Sequence, residues 1–124
     1  MKKILVIGAG SWGTALANTL ANDNTNIFLW TAKQNVSDQI NKTRINKKYF
    51  KNFALHKNIT SLSGKINPKL YRYIFYVLPA KVFEEFFKNY LINNQFNNFI
   101  ICSKGLGEKG DFISELAKIK LRIK

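Results

Sequence analysis

Cysteine and histidine are almost missing from this sequence of 124 residues, which has one of each. The single cysteine, Cys102, excludes a disulfide within the chain, and one cysteine with one histidine cannot form a metal-ligand cluster. Cys102 lies in an apolar run at residues 99–102, which predicts a buried, unreactive thiol. We therefore expect neither a metal centre nor a nucleophilic cysteine.

Long apolar runs are also missing. The longest ones are too short to cross a bilayer, and the amino terminus lacks the apolar segment and cleavage site of a signal peptide. We therefore expect a soluble cytoplasmic protein without a membrane span. With 46% hydrophobic and 14% aromatic residues, the chain is long enough for one domain with a substantial core.

Acidic residues are scarce, at 7 against 20 basic ones, and the formal net charge is +13. No acid lies between Asp38 and Glu84, an interval that holds ten basic residues. Such a stretch is able to bind a nucleic-acid backbone or an anionic membrane surface. Yet the lysines are scattered among asparagines and isoleucines, without the clustering of arginines with aromatic residues that is typical of a single-strand-binding groove. A compositional bias toward Lys, Asn and Ile explains the basic stretch as well as a nucleic-acid partner does. The pattern therefore favours a solvated surface.

Glycines are few, but three of them follow the first apolar run at residues 4–7 in the pattern G-x-G-x-x-G. Gly8 is expected to permit a tight turn, Gly10 to let backbone approach a pyrophosphate, and Gly13 to let a helix pack closely. The helix that follows presents free N–H groups to the phosphates. Because a buried strand precedes the glycines and an amphipathic helix follows them, the pattern predicts a dinucleotide-binding turn. An ordinary strand-to-helix turn is the alternative.

Strand-like and helix-like segments alternate along the rest of the chain. Strands are predicted at residues 4–7, 27–30, 59–62, 73–78 and 99–102, with 59–62 at an edge. Helices are predicted from residue 11 to near Asp23, at 34–43, after Pro79, and from Asp111 onward. The first helix is predicted to carry Trp12, Ala15, Leu16, Thr19 and Leu20 on one face, and the loop at 44–58 is expected to pack its aromatic residues against the domain. The alternation predicts an α/β fold, a Rossmann-like doubly wound parallel sheet, as a single domain over residues 1–124.

The end of the second strand bears on the choice of cofactor. An acid at this place in a Rossmann domain accepts the 2′-hydroxyl of NAD, whereas this sequence has Thr31, Ala32 and Lys33. Nothing there repels a 2′-phosphate, and Lys33 is able to attract one, unless it simply points to solvent. We therefore expect NADP to be accepted as well as NAD.

Several motifs together resemble the amino-terminal domain of the NAD(P)-dependent glycerol-3-phosphate dehydrogenases. Residues 8–17 (Gly-Ala-Gly-Ser-Trp-Gly-Thr-Ala-Leu-Ala) are similar to that family's opening signature. Residues 46–50 and 55–59 resemble its loop after the second helix, with His56 in place of a usual proline. Residues 77–80 resemble its Val-Pro-Ser turn, with Ala80 replacing serine, and residues 103–106 match its lysine-glycine turn.

The resemblance implies roles for individual residues. Ser11 and Trp12 would line the cofactor pyrophosphate, Val82 would lie near the nicotinamide, and Lys104 would lie where cofactor and substrate meet. A lysine suits that place because its ammonium group holds a phosphate or polarises a keto oxygen. The alternative for Lys104 is a solvated turn lysine.

The implied activity is hydride transfer between NAD(P)H and dihydroxyacetone phosphate, which gives sn-glycerol 3-phosphate. Members of this family continue into a helical second domain that supplies the catalytic lysine, and this sequence stops before it. We therefore expect no catalytic residue within the chain, and incomplete catalysis unless a separately encoded helical domain joins it. A split enzyme, a decayed gene product and an incomplete reading frame all remain open. So do a non-catalytic dinucleotide-binding module and a basic nucleic-acid-binding protein.

Overall fold

A five-stranded parallel sheet forms the centre of the molecule, whose computed structural model describes residues 2–102. The strands are β1 (Lys2–Ile7), β2 (Thr25–Trp30), β3 (Ile59–Leu62), β4 (Tyr73–Tyr76) and β5 (Phe99–Ile101). Their order in the sheet is β3-β2-β1-β4-β5, and all four pairings are parallel. The Rossmann-like α/β fold is therefore confirmed, with residues 59–62 at the predicted edge. The predictions at Lys104 and from Asp111 onward lie outside the described residues.

Within the described residues, three α-helices connect the strands: α1 (Ser11–Leu20), α2 (Gln34–Thr43) and α3 (Phe83–Tyr90). A 3-10 turn at Pro68–Leu70 precedes β4, and another at Ala80–Val82 leads into α3. The first helix ends three residues before the predicted Asp23. Asn22 explains the early end, because its side chain accepts a hydrogen bond from the backbone N–H of Asn24 and its carbonyl accepts one from Thr25. These local bonds replace the next helical turn.

The two faces of the sheet bury two separate sets of apolar side chains. Alternate residues of β1 point to opposite faces, as the pleat requires. Leu5 and Ile7 pack with Phe83 and Phe86 of α3, whereas Ile4 and Val6 pack in the same cluster as Ala17 of α1 and Ile40 of α2. A fully buried side chain of this size contributes about 1.5–3 kcal/mol to folding. Helices on both faces are what the doubly wound prediction requires.

The buried face of α1 does not coincide with the face that carries its larger apolar side chains. Its buried residues are Gly13, Thr14 and Ala17, while the side chain of Trp12 is 66% exposed. The small residues allow α1 to approach the sheet closely, so the helix is rotated away from the face that its larger side chains suggested. The face that carries Trp12 is therefore only partly buried, with Leu16 and Leu20 half-buried and Trp12 exposed.

The loop at residues 44–58 is held by polar contacts more than by aromatic packing. Tyr49 and Phe53 are 42% and 40% exposed, whereas Leu55 and Asn46 are buried. The ring of Phe53 contacts that of Phe50 instead of the core, with centroids 5.3 Å apart. The expectation that the loop aromatics pack against the domain was therefore wrong for Tyr49 and Phe53.

Strands β4 and β5 end slightly before their predicted limits. The sheet hydrogen bonding nevertheless continues past them, because the N–H of Val77 donates to the carbonyl of Ile7 and that of Cys102 to the carbonyl of Tyr76, both at 2.9 Å.

Cys102 is only partly buried, but burial raises the pKa of its thiol, which keeps it protonated and poorly reactive.

Candidate functional site

A cleft of about 560 Å³ lies at the carboxyl edge of the sheet, beside the end of β1. Its lining residues come from four segments: Gly8, Ala9, Gly10, Ser11, Trp12 and Gly13 after β1; Thr31, Ala32, Lys33, Val36 and Gln39 after β2; Asn46, Lys48 and Tyr49 of the loop; and Val77, Leu78 and Pro79 after β4. The chain leaves β1 for β2 on one side, and β4 occupies the other side. Ligands of open α/β sheets bind at such a switch in strand order.

Two of the three turn glycines are required by the fold itself. Gly8 has φ +122°, a backbone conformation that favours glycine, and its N–H donates to the carbonyl of Trp30 at 2.9 Å. A Cβ added to Gly13 would lie 1.7 Å from the carbonyl oxygen of Gly8. The first turn of α1 therefore lies directly against the glycine turn.

Gly10 is different, because the fold leaves free space beside it. It has an extended backbone (φ −76°, ψ −170°), and a Cβ there would have no heavy atom within 4 Å apart from those of its chain neighbours. Its carbonyl accepts the first hydrogen bond of α1, from Thr14 at 3.0 Å. No side chain caps the helix and its first turn contains no acid. The N–H groups at the start of α1 are thus available for an anion, which the helix dipole favours.

The charge of the cleft also favours an anion. Lys33 and Lys48 line it, and no carboxylate is found among its lining residues in the part of the chain that the structure describes. The backbone N–H of Lys33 lies 3.4 Å from the hydroxyl of Thr31, which orders the start of the segment after β2. The ammonium of Lys48 lies 5.5 Å from the ring centroid of Tyr49. A phosphate-bearing ligand suits this arrangement of cations.

Asn46 joins the loop to the glycine turn. Its side chain is 1% exposed, and its amide nitrogen donates to the carbonyl of Ala9 at 3.0 Å and to the hydroxyl of Thr14 at 2.9 Å. The sequence identifies Asn46 only as part of a loop motif, since nothing in a polar, basic segment distinguishes a buried asparagine from a solvated one.

Six of the eight site residues predicted from the sequence meet in this cleft: Gly8, Gly10, Ser11, Trp12, Gly13 and Lys33. Val82 is half-buried at the end of the 3-10 turn before α3 and is not among the lining residues. Lys104 lies outside the described residues. The prediction missed Lys48 and Tyr49, although two aromatic residues following two lysines in one loop were a visible signal.

Two further properties hold for residues 2–102. No helix in this range is long and apolar enough to cross a membrane. The same residues contain no group of three or more His, Cys, Asp and Glu side chains placed to hold a metal ion.

A glycine turn that leads from the central strand of a parallel sheet into an uncapped helix defines a dinucleotide-binding domain of the Rossmann type. A family profile described as NAD-dependent glycerol-3-phosphate dehydrogenase N-terminus matches residues 3–124. The chain belongs to this family, as the sequence motifs had indicated.

Known relatives carry the same family name. The chain is 36% identical over 103 residues to a glycerol-3-phosphate dehydrogenase [NAD(P)+] of Neorickettsia sennetsu, covering 82% of this chain and 31% of that protein. It is 36% identical over 122 residues to a Staphylococcus aureus protein of the same name, covering 94% of this chain and 36% of the relative. The chain thus spans about a third of the length of these relatives.

Solved structures agree on the fold. The glycerol-3-phosphate dehydrogenase of Coxiella burnetii superposes with a TM-score of 0.82 at 24% identity, over 97% of this chain and 38% of the other. The enzyme from Saccharomyces cerevisiae gives a TM-score of 0.76 at 23% identity, over 99% and 40% of the two chains.

Proposed function

We propose that this chain binds NAD(H) or NADP(H) in the cleft and forms the cofactor-binding part of a glycerol-3-phosphate dehydrogenase. The single observation that supports binding most directly is the free space beside Gly10, at the uncapped start of α1. A pyrophosphate placed there meets backbone N–H groups without meeting a side chain. When bound, the nicotinamide accepts or supplies the hydride that interconverts sn-glycerol 3-phosphate and dihydroxyacetone phosphate.

The pyrophosphate is assigned to the first turn of α1. Ser11 and Trp12 follow Gly10 at the start of the helix, and both line the cleft. Their N–H groups are among the first of the helix, which have no acceptor within it. The exposed indole of Trp12 is available to pack over the bound cofactor.

The adenosine end is assigned to the wall formed by Lys33, Lys48 and Tyr49. Lys33 is the third residue after β2, close to the place where Rossmann domains hold the ribose. The lining residues from Thr31 to Lys33 include no acid that would repel a 2′-phosphate. Lys48 supplies a second cation, so the wall suits NADP at least as well as NAD.

The nicotinamide end and the substrate are assigned to the segments after β4 and β5. Val82 lies between β4 and α3, and we propose that it lies near the nicotinamide. Lys104 comes three residues after the end of β5, whose carboxyl end shares the edge of the cleft because the sheet is parallel. There it would contact the cofactor and the phosphate or keto oxygen of dihydroxyacetone phosphate.

Turnover needs more than these residues supply. Among the lining residues of the described cleft there is neither a histidine nor a carboxylate to protonate the ketone oxygen. We propose that a helical substrate domain, on the same protein or encoded separately, completes the site in the cytoplasm. The residues that line the cleft then bind and orient the cofactor.

The test is a pair of variants measured for NADH and NADPH affinity by titration calorimetry. Gly10→Val puts a side chain where the pyrophosphate is expected, and its extended backbone accepts valine without strain. It should abolish binding while circular dichroism and melting temperature stay close to wild type. Ala54→Val, at an exposed loop position outside the lining set, is the control and should bind normally. Equal affinity of Gly10→Val and wild type would disprove the proposal.

A further inference from the structure

We propose that Asn46 is a positioning residue that holds the peptide between Ala9 and Gly10 in the orientation that a bound phosphate requires. The inference rests on the proposed function, because it concerns the same cleft. It adds a residue that orients the phosphate-binding peptide from the loop at 44–58, 37 residues from Ala9 along the chain.

The orientation of the Asn46 amide follows from its two partners. The carbonyl of Ala9 is an acceptor only, so the group 3.0 Å from it must be the NH₂ of Asn46. The second hydrogen of the same nitrogen is directed to the hydroxyl of Thr14 at 2.9 Å. Asn46 and Thr14 are 1% and 0% exposed, so water does not compete for these bonds. Both donors of the amide are therefore committed to the glycine turn and the helix behind it.

The bond to Ala9 determines which way the next N–H points. The carbonyl of Ala9 and the N–H of Gly10 belong to one planar trans peptide and point in opposite directions. With the carbonyl oxygen held by Asn46, the Gly10 N–H is directed away from Asn46. If this peptide flipped, a carbonyl oxygen would take the place of the N–H, and a phosphate nearby would be repelled. Glycine is the residue at which such a flip costs least.

The other end of Asn46 keeps the amide in place. Its backbone carbonyl accepts hydrogen bonds from the N–H groups of Tyr49 at 3.1 Å and Phe50 at 2.8 Å, closing a tight turn within the loop. The side chain of Gln39 also donates to the carbonyl of Ile45. The residue that holds the Ala9 carbonyl is thus part of a tight turn closed by backbone bonds, and the bond from Gln39 joins the residue before it to α2.

The proposal predicts a loss that is specific to phosphate. Calorimetry compares adenosine with ADP, two ligands that share the base and ribose and differ in the pyrophosphate. Wild type should bind ADP more tightly than adenosine. In Asn46→Ala the affinity for ADP should fall about tenfold to a hundredfold, the equivalent of one or two lost hydrogen bonds to buried partners. The affinity for adenosine should change by less than about threefold, since no peptide that contacts adenosine has moved.

Thr14→Val is the matched control. It removes the second bond of the same amide and leaves the bond to Ala9, so it should keep most of the preference for ADP. Asn46→Leu, which has a similar volume without donors or charge, replaces Asn46→Ala if the alanine variant does not fold.

The calorimetric results distinguish failure of this proposal from failure of the proposed function. Equal losses for adenosine and ADP would show that Asn46 only supports the wall of the cleft, and would overturn the proposal. Equal effects of Asn46→Ala and Thr14→Val would also overturn it. A wild-type chain that binds neither ADP nor NADH would instead refute the proposed function itself.

Discussion

The carbonyl oxygen of Gly8 lies so close to the Cα of Gly13 that a single added methyl group on Gly13 would approach it to 1.7 Å. Both partners are backbone, so no side-chain rotation relieves the contact. The two ends of the G-x-G-x-x-G pattern are therefore joined by packing within the folded chain itself, before any ligand is considered.

Gly13→Ala should destabilise the fold severely. Relieving the clash requires α1 to move away from the glycine turn, and overpacking of this kind costs about 3 kcal/mol or more. Urea unfolding monitored by circular dichroism would measure the change. Gly10→Ala adds the same methyl group in free space and should leave the free energy of unfolding within about 0.5 kcal/mol of wild type. Equal stabilities of the two variants would contradict the geometry.

Lys33→Asp should shift the preference from NADPH toward NADH. The change removes a cation from the wall of the cleft and places a carboxylate where it can accept the ribose hydroxyls. We expect the affinity for NADPH to fall about tenfold or more, as for loss of a charge-assisted hydrogen bond. Lys51→Asp makes the same charge change at an exposed loop position outside the lining set. A strong preference of wild type for NADH would refute the role given to Lys33.

The chain alone should bind cofactor without reducing dihydroxyacetone phosphate. Holding a ketone in reactive geometry supplies roughly 7–11 kcal/mol of barrier lowering, and the residues that do so are expected on the helical domain. The measurement is NADH or NADPH oxidation, followed by absorbance on protein shown to be folded and cofactor-binding. Steady turnover at an ordinary enzymatic rate, abolished by Lys104→Ala, would show that the chain is a complete enzyme.

Stability should decline in alkaline solution because of two buried tyrosines. Burial raises the pKa of Tyr76 and of Tyr71 above the ordinary tyrosine value of about 10. Above about pH 10 the unfolded chain loses these protons while the folded chain keeps them, so deprotonation favours unfolding. Their contribution is fully present below that pH and falls as the pH rises above it.

Tyr76→Phe tests this pH dependence. The hydroxyl of Tyr76 lies 3.3 Å from the carbonyl of Pro79, so its loss should cost about 1 kcal/mol at neutral pH. The decrease in unfolding free energy between pH 9 and pH 11 should be smaller than in wild type. Tyr49→Phe, at an exposed ring, is the control. An unchanged alkaline slope in Tyr76→Phe would contradict the assignment.

The sheet and helices could be predicted from the sequence because their signals are local. The bounds of α2, Gln34–Thr43, agree with the prediction at both ends, and its inward residue Ile40 is fully buried. The apolar runs of β1 and β2 likewise required no knowledge of their neighbours. Parallel strands buried on both faces produce such continuous runs.

What could not be predicted depends on contacts between distant segments. The burial of α1 is set by the packing of Gly13 against Gly8, whereas periodicity alone favoured the face that carries Trp12. The loop contribution to the cleft depends on two hydrogen bonds of Asn46, whose partners lie 37 and 32 residues away. No local pattern distinguishes a buried amide from the many exposed asparagines of this sequence.

The two tryptophans provide built-in optical reporters. Trp12 is exposed at the mouth of the cleft, whereas Trp30 is fully buried and its indole N–H donates to the carbonyl of Gly64 at 2.9 Å. The fluorescence of Trp12 should therefore respond to occupancy, by quenching or by energy transfer to a reduced nicotinamide. The emission of Trp30 should stay at short wavelength until the protein unfolds. A Trp30→Phe chain would follow ligand arrival alone, and a Trp12→Phe chain would follow denaturation alone, without any added label.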